Sequence, residues 1–236
     1  FERGRPDLPR LLDRELLALF EENFFKPAEN RTANVRSYID LLWRLRMIFD
    51  EHLIKWVDQG EEAIHLISAI SVSTSSGKRY MTRSRESDSH QGFSLLQSML
   101  YHSQEITTQY WVTPLLNFMH RNPELDAERY FAYLRHLDNH MLGSDANEIL
   151  IVRSLSFMKE PWQRRDAIHA EELAEPSGVK FAHYWFYKLE FVLWFQKKRQ
   201  TERWKKFRLT AKSSVEHISP QTPTERDDNR VDKALD

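Results

Sequence analysis

The chain of 236 residues carries 34 Lys and Arg against 35 Asp and Glu, a net charge of −1, and it is long enough to bury a substantial core. Fourteen Phe, eight Tyr and seven Trp exclude a disordered chain, and six Gly with nine Pro argue against a β-sandwich or barrel. The sequence has no Cys, which excludes disulfides and cysteine-ligated zinc and favours a reducing cytoplasm.

The first third of the chain shows helical periodicity followed by a less regular stretch. Apolar residues at helical spacing predict helices over 6–25 and 33–57, and a third, shorter helix over 61–70. Residues 71–77 are compatible with either a short strand and turn or a loop. The chain starts at Phe1 rather than Met, so we expect a piece of a longer protein.

Helical signals resume after residue 92. Asn122 and Pro123 predict a helix start, with Asn122 as the N-cap and Pro123 at the first helical position. The run from Val179 to Arg199 is apolar nearly all round, which is typical of the central helix of a bundle. The predicted helices are 93–102, 109–120, 122–141, 147–158 and 179–199.

Composition changes after Phe207, where β-branched residues and then a Pro- and Asp-rich tail replace the helical pattern. We therefore predict a mainly α fold: a multi-helix bundle over residues 1–208, then a short β segment within residues 209–236.

The segment from Ser214 to Gln221, Ser-Val-Glu-His-Ile-Ser-Pro-Gln, places Glu216 directly before His217. A carboxylate can hold a divalent metal ion, and a histidine of near-neutral pKa can take a proton from water. The alternative is an exposed Glu-His pair that precedes a proline turn.

This string resembles the start of the C-terminal HNH (ββα-metal) domain of GmrSD-type restriction endonucleases, and it is similar to the opening of the HNH domain of RNA-guided CRISPR nucleases. The stretches Leu95–Tyr101 and Tyr110–Leu116 resemble the helical linker of GmrSD-type proteins. In that family the linker joins an N-terminal, NTP-using domain to the nuclease.

The resemblance implies that His217 is the general base, Glu216 a metal-site residue, and Mg²⁺ or a similar divalent ion the cofactor. It implies a parent endonuclease of bacterial anti-phage restriction that cleaves foreign or modified DNA. The family's later glycine-asparagine segment is expected beyond Asp236, and the Asp-Gly-Gln-Gln-Arg motif of the N-terminal domain is absent from this sequence. We therefore expect a catalytically incomplete chain whose missing N-terminal domain is a partner.

A basic segment, residues 197–212, holds eight Lys or Arg and one Glu, interleaved with Trp204 and Phe207. Such spacing can lay cations along a phosphate backbone, so we predict weak, sequence-independent DNA binding. The alternative is a solvated helix end and linker. The predicted DNA-binding residues are Lys197, Lys198, Arg199, Arg203, Lys205, Lys206, Arg208 and Lys212.

Two other functional classes remain open. A HEPN-type ribonuclease carries Arg-x4-His, a spacing that occurs at Arg85/His90, Arg135/His140 and Arg164/His169 but is expected by chance in a chain with ten His. A non-enzymatic helical interaction module is the other class. His136 and His140 stand four residues apart and could bind zinc, although a surface or capping pair explains them as well.

Overall fold

A computed structural model describes residues 13–22, 30–59, 62–68, 70–83, 91–104, 108–143, 148–159, 173–174, 181–197 and 201–209. The described chain is mainly helical, as predicted, with two short antiparallel hairpins between its second and third helices. The elements are α1 Asp13–Phe20, α2 Arg31–His52, β1 Ile54–Gln59, β2 Glu62–Ile67, β3 Ile70–Ser75, β4 Lys78–Arg83, α3 Gln91–His102, α4 Val112–Arg121, α5 Ala127–Met141, α6 Leu150–Lys159, α7 His183–Lys197 and α8 Glu202–Lys205.

Helix α2 ends five residues earlier than the sequence predicts. Leu53 takes an extended conformation and its N–H still donates to the carbonyl of Phe49, at 3.1 Å. The next backbone N–H, that of Ile54, donates to Oε1 of buried Gln97 at 3.0 Å, and Nε2 of Gln97 donates to the carbonyl of His52. One side-chain amide thus satisfies both backbone groups at the corner where the helix becomes a strand.

The predicted helix over 61–70 is wrong, because these residues contribute to β2 and the start of β3. Strands β1 and β2 pair antiparallel, from Ile54 opposite Ile67 to Gln59 opposite Glu62. His65 and Ile67 are buried, whereas Ile64 and Leu66 are half-buried, the alternation of a strand with one face on the core. Packing against α3 therefore outweighs the helical propensity of Glu, Ala and Leu in this segment.

The open alternative at residues 71–77 resolves as a strand and a turn. Strands β3 and β4 pair from Ile70 opposite Arg83 to Ser75 opposite Lys78. Ser76 and Gly77 both take positive φ, 51° and 74°, as a two-residue type I′ hairpin turn requires. The side chains of residues 72–82 are exposed, so this hairpin projects from the helical body.

The centre of the helical body is α3, and the prediction that the 179–199 helix lies there is wrong. Nine consecutive residues of α3, Gly92 to Leu100, are buried, and the helix packs against α5, α7, β1 and β2. At Gly92 an added Cβ would lie 3.1 Å from Cζ of Phe131, so the absence of a side chain permits this close approach of α5.

In α7 three residues are buried, Tyr184, Phe191 and Trp194, and much of its apolar surface faces outward. It is a lateral helix with one face on α3. No helix in the described ranges is both long and apolar enough to cross a membrane.

The start of α5 also differs from the prediction. Its N-cap is Asp126, whose Oδ1 accepts from the Arg129 N–H at 2.9 Å. Asn122 instead caps the end of α4: its N–H donates to the carbonyl of Met119, and its carbonyl accepts from the hydroxyl of Tyr130. A helix starting at Pro123 would lose the Asp126 cap, which is typically worth about 1 kcal/mol.

Candidate functional site

The structure covers part of the predicted site. Glu216 and His217 lie outside the described residues, as do the predicted C-terminal β segment and Lys198, Arg199 and Lys212. The backbone of Lys205 is described but its side chain is not. Four cationic side chains of the basic segment can therefore be placed: Lys197, Arg203, Lys206 and Arg208.

The described part of the basic segment is attached to the core through tryptophan. Trp194, on the last turns of α7, is fully buried, and its Nε1 donates to the carbonyl of Trp204 at 2.8 Å. Trp204 and Phe207 are half-buried and pack against the core, and Leu209 is buried. These contacts fix the short helix α8 beside the end of α7.

The cations and aromatics of this segment therefore have separate roles. Lys197, Arg203 and Lys206 are exposed, while Arg208 is half-buried and donates to the carbonyl of Phe207 at 2.8 Å. Because Trp204 and Phe207 turn toward the core, they anchor the segment and are poorly placed for stacking on bases. The three exposed cations are available for phosphate contacts, which involve no base recognition.

A histidine cluster that the sequence did not reveal lies between the first hairpin and α3. Nδ1 of His65 is 3.0 Å from Oγ of Ser98, and the Trp56 ring lies on the His65 ring with centroids 3.7 Å apart. His102, one turn beyond Ser98, brings its ring centroid to 5.1 Å from that of His65. No spacing motif links residues 65 and 102, so only the tertiary fold brings them together.

Both imidazoles of this cluster are held neutral at pH 7. Burial, and secondarily the neighbouring His102, lowers the pKa of His65 to about 4, and burial also lowers the pKa of His102. Nε2 of His102 is buried without a hydrogen-bond partner among the described residues. Two neutral imidazoles could ligate a metal, but no group of three His, Asp or Glu side chains in the described part of the chain could hold one.

A buried carboxylate joins α5 to α7. Asp138 is fully buried and accepts from the Tyr184 hydroxyl at 3.0 Å and from the Lys188 ammonium, which also donates to Asn139. Burial raises the pKa of Asp138, and the Lys188 charge opposes that shift. Burial beside the carboxylate also raises the pKa of the Tyr184 hydroxyl. Every partner is a side chain of the fold itself, so the network is a link between helices.

The histidine pair of α5 does not converge on one site. His136 is exposed, whereas His140 is buried with Nε2 at 3.1 Å from Oγ of Ser156 on α6. Arg135 lies over the rings of Phe131 and Phe195, at 4.8 and 5.6 Å from their centroids. Arg135 and His140 therefore have different neighbours, and the other two Arg-x4-His pairs lie outside the described residues.

Comparisons with known proteins found no protein or structure similar to this chain. A scan against protein-family models, a search of curated proteins and a search of solved structures each found no match. The functional argument therefore depends on the residues themselves.

Proposed function

We propose that this chain is the helical, DNA-contacting part of a metal-dependent endonuclease of the GmrSD type, and that it leads into the nuclease segment at Glu216 and His217. The observation that carries the proposal is the exposure of three cations shortly before the Glu-His string in the sequence: Lys197 at the end of α7, and Arg203 and Lys206 in the anchored segment that includes α8. The hydrogen bond from Trp194 fixes the backbone of this segment, so its cations can meet a phosphate backbone from a defined position on the helical body.

The chemistry assigned to the parent protein is hydrolysis of a phosphodiester bond. In this proposal Glu216 would help to hold a divalent ion, and the bound ion would supply electrostatic stabilisation of the charge that develops on the phosphate. His217 takes the proton from the attacking water, because a neutral imidazole has a ring nitrogen that can accept it. The substrate is foreign or modified DNA, as the resemblance implies.

DNA binding by the 236-residue chain tests the first half of the proposal. Changing Lys197, Arg203 and Lys206 to Gln removes three exposed charges, and fluorescence anisotropy with a short duplex should show weaker binding. The slope of log K against log salt should fall by about 0.9 for each phosphate that the variant no longer neutralises. A matched control changes three exposed arginines on other helices, Arg44, Arg121 and Arg129, to Gln. Equally weakened binding in both variants, or no binding at low salt, would contradict a localised DNA surface.

Cleavage tests the second half and needs a version of the protein that extends past Asp236 and includes the N-terminal domain. His217→Ala should abolish Mg²⁺-dependent cleavage while leaving DNA affinity unchanged, and Glu216→Gln should raise the Mg²⁺ concentration required. His183→Ala serves as the control, because His183 is exposed on α7. Undiminished cleavage by the His217→Ala protein would remove the assigned base.

A second candidate function, a helical protein-interaction module, is favoured by the outer face of α7. Phe186, Leu189 and Leu193 follow one another at helical spacing and are 49%, 56% and 40% exposed. A contiguous apolar strip of this kind marks a protein contact more often than a nucleic-acid contact. Loss of partner binding without loss of DNA binding in a Leu189→Glu protein would favour this second function.

A further inference from the structure

Helix α2 spans 22 residues, and none of them is buried. One of its faces is apolar and lies in solvent. Ile39, Trp43 and Met47 follow one another at intervals of four residues and are 58%, 69% and 55% exposed. The opposite face carries the contacts with the body, because Ile48 and Phe49 pack against the core. The exposed face is thus available for contact once the helix is folded.

Charged residues flank this strip in an ordered way. We use the name α2 seam for the set Arg36, Ile39, Asp40, Trp43, Arg46, Met47 and Asp50. At about 100° per residue, every member lies within roughly 60° of the direction of Trp43. Arg36, Asp40 and Arg46 are exposed like the apolar members, and Asp50 is half-buried.

The charged and apolar residues of the α2 seam form a pattern that is complementary to the same pattern read in the opposite direction along the helix. Residues three positions before and after Trp43 are Asp40 and Arg46, which have opposite charges. Those four positions away are both apolar, Ile39 and Met47. Those seven positions away again have opposite charges, being Arg36 and Asp50.

We propose that the α2 seam is a homodimer interface, in which α2 of a second copy packs antiparallel across a two-fold axis near Trp43. An isologous contact brings the same patch of both copies together, so each residue lies level with the partner residue at the mirrored distance from the axis. Near the mid-line of the contact, Arg36 then approaches the partner's Asp50, and Ile39 packs beside the partner's Met47. Asp40 and the partner's Arg46 lie level with each other on opposite edges of the contact, where their opposite charges attract at longer range. A parallel pairing would instead bring Arg36 level with Arg36 near the mid-line, so like charges would oppose it.

An ion pair within the helix already orients part of this surface. Nε of Arg46 lies 2.7 Å from Oδ2 of Asp50, four residues on. In the dimer this ion pair lies at the end of the contact where the partner's Arg36 approaches Asp50. The pre-existing pair reduces the side-chain ordering that association requires.

The size of the seam predicts a weak dimer. From residue 36 to residue 50 the helix extends about 21 Å, and one helix face of that length buries less than the roughly 800 Å² per partner of a standard interface. We therefore expect a monomer–dimer equilibrium that depends on protein and salt concentration. The proposal is independent of the proposed nuclease function, because it concerns a different helix and a different readout.

Sedimentation velocity of the 236-residue chain over a range of concentrations tests the interface. Trp43→Glu should weaken association more than about tenfold, as loss of a central tryptophan does at other interfaces. Met81→Glu is the matched control: Met81 is 80% exposed on β4, outside the seam, and its substitution should leave association unchanged.

A charge exchange between two variants makes the test specific to the pairing. One variant carries Arg36→Asp and Arg46→Asp, so its seam is all negative; the other carries Asp40→Arg and Asp50→Arg, so its seam is all positive. Each should be monomeric alone, and their mixture should associate. Thermal melts of each variant show whether it folds. Association of either variant alone at the wild-type level would overturn the proposed pairing.

The orientation can be read by cross-linking, because the sequence contains no cysteine. Ile39→Cys and Met47→Cys proteins, mixed and oxidised, should form the mixed disulfide in preference to either symmetric one. Preferred formation of the symmetric disulfides indicates a parallel contact and contradicts the proposal. A wild-type chain that remains monomeric at every concentration also overturns it, and would assign the face to another segment or to a different protein.

Discussion

The neutral state of His65 makes the stability of this fold depend on pH. Its pKa is about 4 in the folded chain against 6.5 when unfolded, so between these values the unfolded state binds more protons. The free energy of unfolding therefore falls as the pH drops from 6.5 toward 4, and this stability is fully present above 6.5. The slope approaches about 1.4 kcal/mol per pH unit in the middle of that window.

The expected contribution of His65 is about 2 kcal/mol between pH 7 and pH 5, or a decrease in Tm of roughly 4–8 °C for a domain of this size. His65→Asn removes the titrating ring and keeps an amide that can bond to Ser98. Thermal melts at pH 7 and pH 5 should show that the wild-type protein loses about 2 kcal/mol more than the variant over this interval. Any cost of the substitution at both pH values cancels in this difference.

The control is His183→Asn, since His183 is an exposed histidine on α7 and its substitution leaves the contacts of His65 intact. Equal pH dependence in the wild-type and His65→Asn proteins would refute the reasoning, because it would mean that His65 is accessible to protons in the folded state. Hydrogen–deuterium exchange should then show the β1–β2 hairpin opening readily from α3.

Two further predictions follow from the buried ion pair and the hairpin turn. Lys188→Met should lower the free energy of unfolding by about 3–5 kcal/mol, because the carboxylate of Asp138 loses its charged partner. Adding Asp138→Asn to the same protein should recover part of this loss, and chemical denaturation of the wild-type, single-variant and double-variant proteins measures both effects. A double variant no more stable than Lys188→Met would count against the ion pair. Ser76→Asn should raise the free energy of opening of the β3–β4 hairpin, measured by hydrogen exchange of its amides, by up to about 1 kcal/mol, because asparagine tolerates positive φ better than serine. Unchanged protection of these amides would contradict a strained turn.

The sequence was a good guide to the helices, including α1 and α2, and a poor one to strands β1 and β2. Helical spacing located α3 to α7 because each has a long apolar face. The prediction from helical spacing fails at residues 54–67, because Ala63, Leu66 and their neighbours also suit a helix. Their strand conformation depends on pairing with β1 and on contact with α3. The choice of Asp126 over Asn122 as the N-cap similarly depends on Asn122 being engaged by α4 and Tyr130.

The sequence likewise predicted some features of the candidate site and missed others. The cations at 197–208 are visible in the sequence, because charge needs no tertiary context. The direction of the Trp204 side chain is not visible, since it follows from packing against the core. His65 carries no local signal at all: Trp56 across the hairpin and Ser98 on a distant helix lie against its ring, and its low pKa arises from burial and from the neighbouring His102.

The projecting β3–β4 hairpin also has a practical consequence. Its turn at Ser76 and Gly77 lies among exposed side chains, away from the buried residues of α3. Exposed turns of this kind accept inserted sequence with little effect on the rest of a domain. A short epitope or a fluorescent-labelling peptide placed between these two residues would report on the position of the molecule while leaving both the basic segment and α2 untouched.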